Sequence, residues 1–528
     1  MNEALLLVAL LSAIVASAIL AQRLRIPYPV AFVVVGLILA FFPGLPQPRF
    51  DPQLLFLIVL PPLLFSGGWN TDWFAFRRNL RPITLYAVVL VIVTTFVVAA
   101  LAHSLAGYGW AAAFVLGAIV SPPDAVAAEA VFERLAVPRR IVAVLTGEAL
   151  VNDGTALVIY RFALLAFVTG TFSLASAPLA FVFNIVGGVL CGLAIGLVIE
   201  LVLRVLARFE LDDATISNVV FLLAPYAAYL PADALNVSGV LSAVTAGIYS
   251  SRRAQTIMSS EERLIASAVW RVMLLVLNGL VFLLIGLELP GIVRALPSLA
   301  TAAIFGLGIS LVLIVLRMAW AYPAAWLPRL IPQIRARDPL PSWRWIFVIG
   351  WSGMRGIVSL AAALALPYTD AHGAPLIHRS EIIFATLCVI VVTLVLQGLS
   401  LDPLIRALGI SETHQRQSQE TAIRIRALQE GERYLRSVEP EARKPGEMEA
   451  VGRLLGEYQR RIEQLQGRLD DEGPGEARDE RESDRRLELA ALDAERREIT
   501  QLRREGKIPD DIFSAIEYDL DLAGLRLR

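Results

Sequence analysis

Residues 109–132 form an apolar run long enough to cross a bilayer, yet Ser121-Pro122-Pro123-Asp124 stands at its centre. Two prolines there remove two backbone donors and clash with the preceding turn. A second run, 342–367, is interrupted by Gly350, Gly353 and Gly356 around Arg355. Inside a bilayer, broken backbone is tolerated only where protein buries it or where it lines an aqueous cavity. Two such runs in one chain leave few folds open.

A span needs about 20 mostly apolar residues. The sequence offers about 13: 3–22, 27–43, 51–67, 81–103, 109–132, 140–168, 178–205, 215–232, 236–251, 264–289, 297–326, 342–367 and 379–401. Arginines test this count, because cytoplasmic loops are enriched in Lys and Arg. The connections after odd-numbered spans hold 16: Arg23 and Arg25; Arg77, Arg78 and Arg81; Arg134, Arg139 and Arg140; Arg204 and Arg208; Arg252, Arg253 and Arg263; Arg329, Arg335 and Arg337. The even-numbered connections hold 3, namely Arg49, Arg294 and Arg379. The alternation predicts an amino terminus outside, a carboxyl terminus in the cytoplasm, and a multi-pass protein of the cell (inner) membrane. A cleavable signal peptide is disfavoured, since Glu3 precedes the first run and the arginines follow it.

The interruptions fall in spans 5 and 12, seven spans apart, so the two enter the membrane from opposite sides. Spans 1–6 and 8–13 then read as inverted repeats with span 7 as linker. Paired interrupted helices in two halves point to a transporter site at the bilayer midplane. The expected fold is an all-α polytopic membrane protein with two broken crossing helices and a cytoplasmic helical tail. Gly188, Gly192 and Gly196 in span 7 have the spacing of close helix packing.

Charge at the bilayer centre costs at least about 2.5–3.5 kcal/mol. The reading places Asp124, Glu148, Asp153 and Arg355 there, and leaves Glu129, Arg161, Glu200, Glu288 and Arg317 nearer span ends, where they can snorkel. In span 6, TGEALVNDGTALVIYR, Glu148 and Asn152 share one helix face while Asp153 lies on the adjacent one. Arg355 is then the basic partner for one carboxylate. A carboxylate left without a fixed partner can bind a proton or a small cation, and hard cations prefer oxygen ligands. Asp124, Asp153 and carbonyls freed at the span 5 break would supply those oxygens.

These motifs, SPPDAVAAEAV (121–131), GEALVNDGTALVIYR (147–161), NGLVFLLIGLEL (278–289) and GMRGIVSLAAALALP (353–367), resemble those of the monovalent cation:proton antiporters, specifically the electroneutral sodium/hydrogen exchanger branch found in bacteria. The resemblance covers residues 1–410. It implies that Asp153 exchanges proton for cation, that Asp124 and the Pro123 carbonyl help form the ion site, and that Glu148 pairs with Arg355. Asn152 stands where the electrogenic branch has an aspartate, so one-for-one exchange is implied. The family fold is a homodimer whose core domain moves against a dimerisation domain. Departures are Ser66 in LLFSGGWNTDW, where many relatives have an acidic residue, Ala149 in place of a serine ligand, and Pro123 in place of a threonine.

The remaining residues, 411–528, differ in kind. Of 95 charged residues, 45 lie in 1–411 and 50 in 412–528, with formal charges of +5 and −6 that sum to −1. The tail reads as charged helices separated near Asp470-Asp471-Glu472-Gly473-Pro474-Gly475, solvated or serving regulation, with an unknown partner. Net charge near zero gives no reason to expect nucleic acid. Two cysteines, Cys191 and Cys388, and four histidines give no disulfide framework or zinc site. No cofactor is expected, and no hydrolase motif is present. The function read from the sequence is exchange of Na⁺ or K⁺ for H⁺ across the bilayer. The alternatives are a gated cation channel and a sodium-coupled solute symporter.

Overall fold

A computed structural model of the chain describes residues 3–41 except 25, then 52–124, 137–170, 177–209, 213–410, 413–438 and 445–470, with shorter stretches within 128–135 and beyond 485. It divides into two compact units, Met1–Glu412 and Thr413–Arg528.

The first unit is helical. Its helices are α1 (Glu3–Leu24), α2 (Tyr28–Ala40), α3 (Pro52–Trp69), α4 (Leu80–Ala106), α5 (Trp110–Val120), α6 (Arg139–Thr169), α7 (Ala177–Arg208), α8 (Ala214–Ala234), α9 (Gly239–Ile257), α10 (Ser260–Arg294), α11 (Leu299–Trp326), α12 (Trp343–Trp351), α13 (Ile357–Leu364) and α14 (Arg379–Leu408). Among the described residues, seven are long and apolar enough to cross a membrane alone. α1, α2, α3, α5 and α9 and the pair α12–α13 match the other six expected spans. α10 opens with a capping box. The Ser259 hydroxyl accepts from the Glu262 N–H while the Glu262 carboxylate accepts from the Ser259 N–H. Gly107 and Gly170 end α4 and α6 in the left-handed conformation.

The expected breaks are present. α5 stops at Val120, before the two prolines, and α12 stops at Trp351, with α13 resuming after Gly356. The breaks meet: the Asp124 backbone N–H donates to the Met354 carbonyl at 2.7 Å. One large core surrounds this crossing and includes Val120, Leu150, Leu157, Met354, Ile357, Leu360 and Ile390. By contrast α7 turns Phe183, Leu190, Leu197 and Leu201 outward, as a lipid-facing or subunit-facing helix does.

The arginine connections also converge. Arg81, Arg140 and Arg329 follow spans 3, 5 and 11, and all three bond Asp338. Three odd-numbered connections therefore lie on one side of the unit, as the alternation requires. Burial alone would raise the Asp338 carboxyl, but hydrogen bonds and charge from Arg140 and Arg329 outweigh it and hold the group below its ordinary range.

In the second unit, α15 (Thr413–Val438) and α16 (Pro445–Asp470) pack against each other. Gln459 donates to Glu432 across the pair at 3.2 Å. The charged faces are laced by pairs four apart such as Arg424–Glu420 and Arg436–Glu432.

Candidate ion-exchange site

The site is built where the two breaks cross beside α6. The last turn of α5 leaves carbonyls without partners, and these carry the negative end of its dipole. Arg355 answers them: its Nε donates to the Val120 carbonyl at 3.1 Å, and its Nη1 donates to the Gly353 carbonyl. The Arg355 backbone N–H donates to Thr393 Oγ1 at 3.1 Å, from a π-helical turn of α14. Asp124 lies against Gly356, the residue that opens α13, so a carboxylate faces the positive end of that half-helix. A Cβ at Gly356 would overlap that carboxylate. Glycine is required there by close approach.

The expectation that Glu148 pairs with Arg355 is corrected. Glu148 forms a two-pronged ion pair with Arg317 of α11, in which Nη1 donates to Oε1 and Nη2 donates to Oε2 at 2.8 Å. Both side chains are fully buried. The reason is geometric: the Arg355 guanidinium already serves the broken ends of α5 and the second interruption. Arg317 Nη2 also donates to the Ile349 carbonyl at 3.2 Å, near the end of α12. The Tyr86 ring, in a π-helical turn of α4, lies 5.4 Å from the Arg317 guanidinium. A Cβ at Gly353 would overlap the Arg317 stem. The motif Gly353-Met354-Arg355-Gly356 thus admits Arg317 with one glycine and Asp124 with the other.

Arg317 was expected to be interfacial and is instead central. One signal could have found it: position 317 lies well inside the apolar run 297–326 rather than at its end. Glu200 was also expected to snorkel. It is buried instead, held by Arg204, Arg253 and the Tyr249 hydroxyl. Arg161 pairs with Asp233 at 2.5 Å and stays partly exposed. Glu129 lies outside the described residues.

Asn152 is fully buried and its Nδ2 donates to the Pro123 carbonyl at 2.7 Å. That bond ties α6 to the first break. Among the described residues, nothing donates to Asn152 Oδ1. The Pro123 oxygen keeps one lone pair for another partner. Asp153 is half-buried on the next face of α6, within electrostatic reach of Asp124, and no described group forms a hydrogen bond or ion pair with its carboxylate. The Ser66 hydroxyl donates to Leu63 of its own helix at 3.0 Å. A cavity of about 400 Å³ reaches Asp124 and Gly356 from the side carrying Gln22, Pro27 and Asp402.

The charge count at the crossing decides its chemistry. Glu148, Asp124 and Asp153 oppose Arg317 and Arg355, so these five described side chains sum to −1 with every group ionised. One surplus negative charge in an apolar interior is costly. A single proton or a single monovalent cation removes it.

Crossed discontinuous helices around buried carboxylates and arginines are the architecture of a secondary active ion transporter. Comparison with known proteins places it further. The family model for the sodium/hydrogen exchanger, transmembrane, matches residues 7–407. The chain belongs to that family. An uncharacterised Na⁺/H⁺ exchanger of Mycobacterium tuberculosis is 31% identical over 528 residues, covering 99% of this chain and 95% of the relative. A sodium, potassium, lithium and rubidium/H⁺ antiporter of Bacillus subtilis is 34% identical over 383 residues, covering 70% of this chain and 56% of the relative. The sodium proton antiporter MjNhaP1 of Methanocaldococcus jannaschii has the same fold, with TM-score 0.61 and 16% identity over 77% of this chain and 99% of that one.

Proposed function

We propose that this chain is a secondary active antiporter that exchanges one Na⁺ or K⁺ for one H⁺, with Asp153 binding cation and proton in turn. The observation that carries the reading is the Asp153 carboxylate, half-buried beside Asp124 in a set of five described side chains whose formal charges sum to −1. A core that moves through the bilayer with that charge bare meets a cost of several kcal/mol. Loaded with one proton or one cation, it is neutral. Movement is therefore favoured only when loaded, which enforces exchange rather than leak, and the stoichiometry is one for one.

Asp153 and Asp124 supply the charged ligands. Asn152 Oδ1 and the second lone pair of the Pro123 carbonyl are the neutral oxygens, with Ser66 a further candidate. The names of the relatives, which include Na⁺ and K⁺ antiporters, agree with a monovalent cation. The arginine-rich side, where the cavity opens, is assigned to the cytoplasm, with the amino terminus outside and the chain in the cell membrane. The protein works as a homodimer, with α7 and its exposed apolar face among the surfaces available for pairing.

Proteoliposomes with a lumenal pH dye test this reading. Adding Na⁺ or K⁺ should move protons at a rate independent of membrane potential. Proton movement that tracks the potential would contradict one-for-one exchange. No proton movement with any monovalent cation would favour a channel or a symporter, which tracer flux separates.

A further inference from the structure

The three arginines that meet at Asp338 do more than mark a side. Arg81, Arg140 and Arg329 against one carboxylate leave a charge of +2 among the described residues. Arg329 is nearly buried and also donates to the Asp338 backbone carbonyl at 2.9 Å. Arg81 and Arg140 are each about a third exposed, at 34% and 35%, so neither side chain is sealed from the surroundings. Beside them lies a cavity of about 50 Å³ whose other walls are apolar and include Leu85, Tyr86, Trp345 and Ile349.

The surrounding segment has the character of a membrane interface. Between α11 and α12 the chain reads LPRLIPQIRARDPLPSW. Trp326, Leu327, Leu330, Ile331, Leu340 and Trp343 are each at least half exposed. Indole rings and aliphatic side chains exposed beside arginines match the headgroup region, where Trp anchors and Arg snorkels. Basic pockets between transmembrane helices bind anionic headgroups.

We propose that this patch is a binding site for the phosphate of an anionic phospholipid, held by Arg81 and Arg140, with the acyl chains along the exposed apolar residues. A free phosphate would use the same guanidiniums but not the flanking apolar surface. The segment joins α11, which carries Arg317, to α12, which leads into the second break. The lipid thus sits on the connection between the buried ion pair and the crossing. The proposal does not depend on the exchange reaction.

Native mass spectrometry of the full chain tests it, after release from vesicles of phosphatidylcholine with or without phosphatidylglycerol. The intact protein should retain phosphatidylglycerol in preference to phosphatidylcholine. The double variant Arg81→Gln/Arg140→Gln should weaken that retention about 30-fold, at about fivefold per arginine. Asp338→Asn removes the competing carboxylate and should strengthen it. If the double variant does not fold, Asp338→Asn decides alone, with stronger retention supporting the site and unchanged or weaker retention overturning it. Equal retention of both lipids by the intact protein would overturn it. So would inorganic phosphate displacing the phosphatidylglycerol at concentrations comparable to the lipid's own.

Discussion

Glu148 on α6 and Arg317 on α11 are 169 residues apart in sequence and joined by two parallel hydrogen bonds, both side chains sealed from solvent. The pair fixes α11 to the helix that carries Asn152 and Asp153. It also leaves Arg355 available for the ends of the broken helices. Two arginines thus divide two tasks: one holds the scaffold, the other the crossing.

Removing either partner of a buried pair strands the other. Arg317→Ala or Glu148→Ala should destabilise the protein by about 3–5 kcal/mol. A double-mutant cycle should show strong coupling between positions 148 and 317, and weaker coupling between 148 and 355. Unfolding in detergent, followed by tryptophan fluorescence, measures both. Stronger coupling of 148 with 355 would reverse the assignment.

Gly356→Ala places a methyl group where the Asp124 carboxylate lies. The side chain must move, and the overpacking should cost about 1–3 kcal/mol. Transport should fall far more than stability does, because the displaced group belongs to the ion site. A variant with ordinary transport kinetics would show that the Asp124 position is not critical.

Much of this was legible in the sequence. The prolines at 122 and 123 and the glycines at 353 and 356 located both breaks, because their backbone chemistry acts locally, whereas Gly350 stays helical within α12. The count of spans followed from hydropathy and the arginine alternation. The pairing of Glu148 was not legible. Arg317 and Arg355 are both arginines in apolar runs, and only the three-dimensional crossing shows that the Arg355 guanidinium is committed to carbonyls at Val120 and Gly353. Thr393 was likewise hidden, since its role depends on a π-helical turn that no local pattern announces. Asn152 was singled out for its chemistry, but its bond to Pro123 needed the fold.

The Asp338 carboxyl is held below its ordinary value of 3.8. A depressed folded-state value means that the ionised group stabilises the fold at pH above the unfolded value, and that this contribution is lost as pH falls through the folded value. Asp338→Asn should therefore lower stability at pH 7 by about 1 kcal/mol, screening included. The difference from the unaltered chain should shrink as pH drops below about 4. Thermal shifts at pH 7 and pH 4 check the sign; a difference that grows on acidification would contradict it.

The cavity that reaches Asp124 is lined by Asn278 of α10. In a background with Cys191 and Cys388 replaced by serine, Asn278→Cys should react with a membrane-impermeant thiol reagent. The reaction should proceed from the side bearing Gln22 and Asp402, and slow when an inward-to-outward transition is driven by a cation gradient. Equal reaction from both sides at rest would contradict access through this cavity.

The central claim is that one carboxylate, Asp153, takes a proton and a cation by turns. The most direct measurement is proton release into weakly buffered solution when Na⁺ or K⁺ is added to the purified protein. Near the midpoint of the titration, the unaltered chain should release protons in proportion to cation bound, approaching one per site. Asp153→Asn should release none. Proton release that persists in Asp153→Asn would place the exchange on another group and contradict the account.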